Sequence, residues 1–457
     1  MSHSDALTVL RCPQCYGGQL EEQGREIGCQ QCRQSFPVIS GIPWLLRDPQ
    51  YQLNQWRSRC QLLLKSLQAD EERIKHSLND ASLRDSVRQR LNKMLQAKVE
   101  HRKELVQLFE PMSLNVQGHI EREQVFRSTL PESMQLMGYY SNVFRDWAWE
   151  TGENQRAVDV CREMIGTQKM TGARLLTLGA GSCRFAADLH ADYEPEVSLA
   201  CDINPYLLLT ARKVMRGGAV SLFDFPVAPR DDQHLWTKYK LKTQKKYGEN
   251  FHLIAADAVN FPADPGSFDL IVTPWFIDII NVDTELLAAR INTLLKPGGR
   301  WYNFGTLVYH QRNPAKNYTR SEVEELVKAN GFDWERDEYF ESDYLKCEAS
   351  AQSRRERLWA FVAKKATSVT PQKHLETWPE WLIKDHLAVP RLAEIDRATS
   401  INAAYNSIMA LVDGQRSIAE IAGAIAPQFQ MTPAEAASMF RQLLAKIYES
   451  SMREQKF

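Results

Sequence analysis

Two hydrophobic patterns divide the chain. Between about positions 50 and 108, apolar residues such as Leu63, Leu67, Ile74, Leu78, Val87, Leu91, Leu95, Val99 and Leu105 recur among Arg, Lys, Glu and Gln. That stripe predicts two helices broken near Asn79 and Asp80. No strict heptad persists, so a hairpin packed on another domain is expected rather than an isolated coiled coil. Pro111 ends the pattern, aromatic residues gather at 138–149 (GYYSNVFRDWAW), and a further helix is expected through Ala157–Met164. Short apolar runs then alternate with helix-like stretches. They predict strands at Ala173–Ala180, Val197–Ile203, Phe251–Asp257, Phe268–Phe276 and Gly299–Gly305, with Arg357–Lys365 as a late edge strand. Such alternation predicts a mostly parallel sheet covered on both faces. The polar stretch Val214–Asn250, with five lysines from Lys238 to Lys246, reads as a solvated insertion, or as a phosphate-binding patch over the rim of a site. After a break near Ala366–Pro371, Ser417–Ala426 and Thr432–Ser450 read as helices.

With 457 residues, several domains are expected. The divisions suggested are 1–48 (a small ribbon), 49–137 (helical), 138–366 (doubly wound α/β with a helical extension) and 371–457 (a small helical or winged-helix domain). The fold class is therefore multidomain α/β. Lys and Arg number 56 against 57 Asp and Glu, so no global field draws in a membrane; nucleic acid is disfavoured without being excluded. The start, MSHSDALTV, lacks the basic and apolar regions of a secretory signal, and no apolar run approaches a membrane span of roughly 18–20 residues. A cytoplasmic setting is expected.

Nine cysteines are too sparse for a disulfide scaffold, yet four fall in the first 32 positions. CPQC (Cys12, Cys15) and CQQC (Cys29, Cys32) form two knuckles whose thiolates can surround one ion, and structural Zn2+ is the expected occupant. Four thiolates leave no open position for substrate, so a catalytic zinc is not expected. An iron–sulfur centre or a redox dithiol are the alternatives.

LLTLGAGSCRF places Gly179 and Gly181 at the end of the first strand of the alternating region. Arg184 stands where the third glycine of a dinucleotide fingerprint would fall. Asp202 ends the second strand, where a carboxylate can accept ribose hydroxyls, and Asp257 follows the third, within reach of an adenine amine. Glycine turn, Asp202 and Asp257 fit S-adenosylmethionine better than NAD. Turn closure and a helix cap are the bland readings of Gly179, Gly181 and Asp257. Arg145, Trp147, Arg184, Asn204 and Ala258 complete the expected cofactor contacts. Trp275, Phe276 and Asp278, at the end of the fourth strand, and His310 beyond the fifth, are expected to face substrate; a buried Asp in an apolar run otherwise costs free energy.

RDW (145–147), GAG followed by Arg184, FID (276–278), LKPGG, NFGTLVYH and FVAKK together resemble the carnosine N-methyltransferase family, over about Tyr139–Lys365. The resemblance implies a doubly wound class I methyltransferase fold, S-adenosylmethionine as donor, and methylation of an imidazole nitrogen in a small histidine-containing molecule. It further implies that Asp278 contacts the imidazole, with His310 and Tyr344 in the catalytic site. Where that family carries closely spaced tyrosines before the last strand, this chain reads AQSRRER. Arg354 and Arg355 there suit a substrate carboxylate or phosphate, or ordinary surface salt bridges. The N-terminal segment resembles the zinc ribbon of some methyltransferases and their partner proteins. The segment Met409–Tyr448 resembles the PqqD-like peptide-binding domain, which implies a peptide or protein partner. The oligomeric state is unspecified. An RNA-modifying methyltransferase and a non-catalytic partner-binding protein are the competing readings.

Overall fold

A computed structural model of the chain describes residues 3–114, 136, 138–280, 282–309, 313–370, 380–383, 385–390 and 408–453. Its contacts divide the chain into two units.

The larger unit (1–118, 135–307 and 319–373) opens with the helix α1 (Ser4–Leu7) and the ribbon strands β1 (Leu20–Gln23), β2 (Glu26–Cys29), β3 (Ser35–Ile39) and β4 (Ile42–Leu45). Helices α2 (Pro49–Leu78) and α3 (Asp85–Phe109) follow as the expected hairpin, broken at 79–84. They are clamped by Arg102, whose Nε and NH2 donate to the two oxygens of the buried Glu71 at 2.6 and 3.0 Å. Next come α4 (Tyr140–Trp147), α5 (Glu153–Ile165), β5 (Arg174–Leu178), α6 (Arg184–Tyr193), β6 (Val197–Asp202), α7 (Pro205–Met215), β7 (Val220–Asp224), β8 (Thr237–Leu241), β9 (Phe251–Ala256) and β10 (Phe268–Pro274). The unit closes with α8 (Thr284–Leu294), β11 (Leu295–Gly305), α9 (Arg320–Ala329), β12 (Phe332–Tyr344) and β13 (Arg354–Lys365).

Eleven strands form one sheet in the order β1-β2-β3-β4-β9-β6-β5-β10-β11-β13-β12. From β9 through β11 the strands run parallel; β13 is antiparallel to both β11 and β12. Alternation of side chains gives each face its own core. Leu270, Val272, Tyr302, Phe304, Ala360 and Val362 pack with Ala157, Cys161, Phe185 and Leu189 of α5 and α6. The opposite face carries Thr273, Trp301 and Phe361; there Trp301 Nε1 donates to Thr273 Oγ1 at 2.8 Å, and Thr273 Oγ1 donates to Asn303 Oδ1 at 2.8 Å. This is a doubly wound methyltransferase-type core.

Two differences from the sequence pattern matter. The edge strand is β12, not β13. β13 lies inside, where its apolar run Leu358–Ala363 is buried, whereas β12 is mostly solvent-facing and alternates too weakly to register as a strand. The polar insertion is partly ordered: β7 and β8 pair as a separate antiparallel hairpin, with Lys238 paired to Glu100 and Glu104 of α3 and Lys245 Nζ on Asp188 at 2.6 Å.

The ribbon is continuous with the main sheet. β4 joins β9 in parallel, Trp44 opposite Ala255 and Leu45 opposite Ala256. Ser40 and Gly41 both take positive φ (54° and 74°) in the β3–β4 turn, and Arg212 of α7 donates to their carbonyls at 3.1 and 3.0 Å.

The smaller unit (119–134, 308–318 and 374–457) contains, among its described residues, α10 (Glu380–Ile383), α11 (Ile418–Ile425) and α12 (Pro433–Arg453). Ser417 and Glu420 form a capping box at α11, and Thr432 Oγ1 accepts from Glu435 N at 3.3 Å before α12. Val412, Ile418, Ile421, Ile425, Phe440 and Leu444 are among the residues of its own core. Among the described residues, no helix is long and apolar enough to cross a membrane.

Candidate functional site

The four cysteine sulfurs lie within 4.8 Å of one another, Cys12 to Cys32 at 3.6 Å and Cys15 to Cys29 at 3.7 Å. A tetrahedron with zinc–sulfur bonds of about 2.3 Å requires edges of roughly 3.8 Å, so the set fits a metal of that kind. Each knuckle turns alike. Tyr16 N donates to Cys12 O and Arg33 N to Cys29 O, and both residues take positive φ (57° and 60°). Gly18 leaves room for the sulfurs: a Cβ there would stand 2.1 Å from Cys29 Sγ. The cluster can coordinate a metal ion, with the cysteines supplying all four ligands.

The second site gathers at the C-terminal ends of the parallel strands, the edge where open α/β sheets take ligands. Gly179 and Gly181 follow β5 with φ of 70° and 59°. A Cβ on Gly179 would come within 2.5 Å of the Phe276 ring, whereas one on Gly181 would meet nothing within 4 Å. Asp202 holds this turn: Oδ2 accepts from Gly181 N at 2.8 Å, and Oδ1 from Ile203 N at 2.8 Å and Asn204 N at 2.9 Å. Burial pushes its carboxyl up to about 6, against those three donors. A carboxylate offers about four acceptor positions, so one remains for a nucleoside hydroxyl. Asp257 accepts from Val259 N at 3.0 Å and Asn260 Nδ2 at 2.7 Å; it and Ala258 are half-buried after β9. The glycine turn and the acidic strand ends thus stand together at one edge of the sheet, with carboxylate oxygens as acceptors.

Asn204, expected among the cofactor contacts, is engaged within the fold. It is buried, caps α7 by accepting from Tyr206 N at 3.0 Å, and donates to Leu136 O at 3.3 Å. Its polar atoms are spent on the fold.

Helix α4 is latched onto the glycine turn. Ser182 Oγ donates to the buried Asp146, Trp147 Nε1 donates to Ser182 O at 3.1 Å, and Arg184 NH1 donates to Asp146 O at 2.9 Å while its guanidinium lies over the Trp147 ring. Arg145 pairs with Asp146 at 2.7 Å and lies 5.4 Å from the centre of the Trp275 ring. Burial opposes its charge, but the Asp146 and Glu153 carboxylates outweigh that and hold its pKa above the usual value. Thus Arg145, Trp147 and Arg184 shape the turn's surroundings mainly through protein contacts.

After β10 the chain turns sharply at Trp275 (φ 46°), whose N donates to Phe304 O at 2.7 Å. Phe276 and Asp278 are buried beyond it. The Trp275 ring meets Tyr344, at the end of β12, with centroids 5.8 Å apart. Tyr139 stands immediately before α4; burial, then the Asp202, Tyr344 and Asp278 charges, push its phenol up to about 12. His310 lies outside the described residues.

The arginines of AQSRRER are engaged elsewhere. Arg355 pairs with Glu341 across the strands at 3.0 Å, and Arg354 pairs with Glu356 at 2.8 Å while lying 4.3 Å above the Tyr344 ring. Both are well exposed and paired with carboxylates. Sequence reasoning missed Tyr139, Glu153 and the inward role of Glu356. Glu153 is buried beside Arg145, and burial raises its carboxyl to about 7.

The family model of carnosine N-methyltransferase matches residues 139–367, half of the chain. The chain belongs to that family. It is 32% identical over 92 residues to carnosine N-methyltransferase of Rattus norvegicus, covering 19% of this chain and 23% of that protein. To carnosine N-methyltransferase of Dictyostelium discoideum it is 30% identical over 89 residues, 19% of each chain. The matched stretch thus spans under a quarter of these curated relatives of the carnosine N-methyltransferase family. Among solved structures, phosphoethanolamine N-methyltransferase 2 of Haemonchus contortus with S-adenosyl-L-methionine aligns at 16% identity over 55% of this chain and 61% of that one, with a TM-score of 0.32.

Proposed function

We propose that this protein transfers a methyl group from S-adenosylmethionine to a ring nitrogen of an imidazole in a small, histidine-like molecule. Family membership over 139–367 supports the reaction class. The observation that carries the reading is the packing of Phe276 against the glycine turn, where a Cβ on Gly179 would come within 2.5 Å of the ring. That approach supports a cleft shared by the nucleoside-side carboxylate and the buried carboxylate of FID.

S-adenosylmethionine, when bound, supplies an electrophilic methyl group on a positively charged sulfur. Gly179, Gly181, Asp202 and Asp257 are the residues to hold it. Asp278 accepts the imidazole N–H, which fixes the tautomer and leaves the other ring nitrogen's lone pair free to attack. The same carboxylate stabilises the positive charge growing on the ring. Trp275 and Tyr344 wall the substrate, and His310 orients it or receives the proton. The RNA-modifying alternative loses support, since Lys238 and Lys245 of the insertion are paired with carboxylates. For the smaller unit, resemblance to the PqqD-like domain supports a peptide-binding or partner-binding role.

Asp278→Asn tests the assignment. Labelled S-adenosylmethionine and a panel of imidazoles should give a kcat reduced about 100-fold or more, within the range for an electrostatic group at a reacting centre, with cofactor affinity changed much less. Equal loss of both would remove Asp278 from the chemistry.

A further inference from the structure

We propose that Glu356 selects a substrate that carries a protonated amine beside its imidazole, with the ammonium donating to the Glu356 carboxylate in competition with Arg354. The proposal rests on the imidazole reading of the same cleft. In the β12–β13 pair, Tyr344 stands opposite Arg354 and Ser342 opposite Glu356. Residues two apart on a strand share a face, so Glu356, Arg354 and Tyr344 lie together on one surface. Glu356 Oε1 is held by Arg354, whereas Oε2 is buried and makes no well-formed hydrogen bond. The neutral Trp275 Nε1–H, also buried without a well-formed bond, is the donor that faces the Glu356 carboxylate, and no cation among the described residues offsets Oε2.

An unmatched buried carboxylate oxygen is costly, and a nearby like charge adds to the cost. Burial first, and then the Asp278 carboxylate, raise the pKa of Glu356. Arg354 is 62% exposed at the side chain, so solvent weakens its compensation. The charges around the cleft point the same way: Asp146, Glu153, Asp202, Asp278 and Glu356 against Arg145 and Arg354. A substrate ammonium would donate to Oε2 and separate two repelling carboxylates, competing with the Arg354 guanidinium that lies over the Tyr344 ring. A substrate carboxylate in that place would meet Glu356 head-on.

The test uses the full-length protein and three imidazole probes differing in one group: histamine (ammonium), 4-methylimidazole (neutral) and imidazole-4-acetate (anionic). Methyl transfer is followed with labelled S-adenosylmethionine, and probe binding by calorimetry in the presence of S-adenosylhomocysteine. Wild-type protein should prefer histamine in both assays. Glu356→Gln should lower the histamine to 4-methylimidazole ratio of kcat/KM about tenfold or more, mainly through KM, as loss of a charge-assisted hydrogen bond predicts. Arg354→Ala should raise that ratio, and it keeps the question answerable if the first variant folds poorly. Equal use of the three probes, or preference for imidazole-4-acetate, overturns the Glu356 assignment while leaving imidazole methylation intact. Charge-selective binding of histamine without methyl transfer to any probe has the opposite meaning: Glu356 stands and the imidazole reaction falls. Absence of binding and transfer overturns both.

Discussion

Gly179→Ala probes how the cofactor turn and the Asp278 segment depend on each other. At φ 70° an added methyl is strained, and its ideal position lies 2.5 Å from Phe276 Cδ2. The left-handed backbone costs an alanine about 1–2 kcal/mol. Overpacking against a buried ring adds about 1–3 kcal/mol, so a loss of roughly 2–5 kcal/mol is expected. Gly181→Ala serves as the control, because its φ is 59° but its Cβ would meet nothing within 4 Å. It should cost only the backbone part, about 1–2 kcal/mol. A double-mutant cycle isolates the clash. Phe276→Ala alone should be costly as a large-to-small change, yet the double variant Gly179→Ala/Phe276→Ala should lose less than the sum, by about 1–3 kcal/mol. Urea denaturation of the four proteins gives the coupling. Additivity within about 0.5 kcal/mol, or equal losses at Gly179 and Gly181, would refute the contact and with it the link between cofactor turn and Asp278 segment.

Glu153 should write a signature on pH dependence. Its carboxyl rises from 4.5 to about 7, so the folded chain binds this proton more tightly than the unfolded one, and stability falls as pH climbs through that window. The slope is at most about 1.4 kcal/mol per pH unit. Glu153→Gln should therefore gain on the parent between pH 5 and pH 8 in urea titrations; a constant difference would contradict the burial argument. Asp202→Ala should weaken S-adenosylmethionine binding by about tenfold or more, the scale of a lost charge-assisted hydrogen bond, because it also releases the amides of Gly181, Ile203 and Asn204. Unchanged affinity by calorimetry would exclude it from the cofactor site. Cys29→Ser/Cys32→Ser should abolish stoichiometric zinc measured by mass spectrometry; zinc retained in the variant, or missing from native protein, would defeat the metal centre.

The strands that form the sheet's interior were legible because both of their faces are buried. Val197–Cys201 and Phe251–Ala256 are largely apolar runs interrupted only by Ser198 and His252, and the glycine turn and acidic ends stand out against them. β12 was not, since Phe332–Tyr344 is largely exposed and its pattern resembles loop. At the site, cysteine spacing and the FID segment announced themselves. For the arginines the sequence left two readings open, an anionic substrate group or surface salt bridges; the strand register pairs Arg355 with Glu341 and Arg354 with Glu356. Asn204 shows why such positions are hard to read, as a polar residue after a strand serves a helix cap as readily as a ligand. Tyr139 carried no local signal; its importance comes from three residues distant in sequence.

Because β4 seals the outer side of β9, the ribbon does more than decorate the enzyme core. A chain that lost its ion, and with it the ribbon's grip, would bare the backbone amides of Ala255 and Ala256 one step from Asp257. Bare strand edges are templates for pairing with other chains. Metal starvation would then be felt as self-association of the protein, beginning at the edge of β9 beside Asp257.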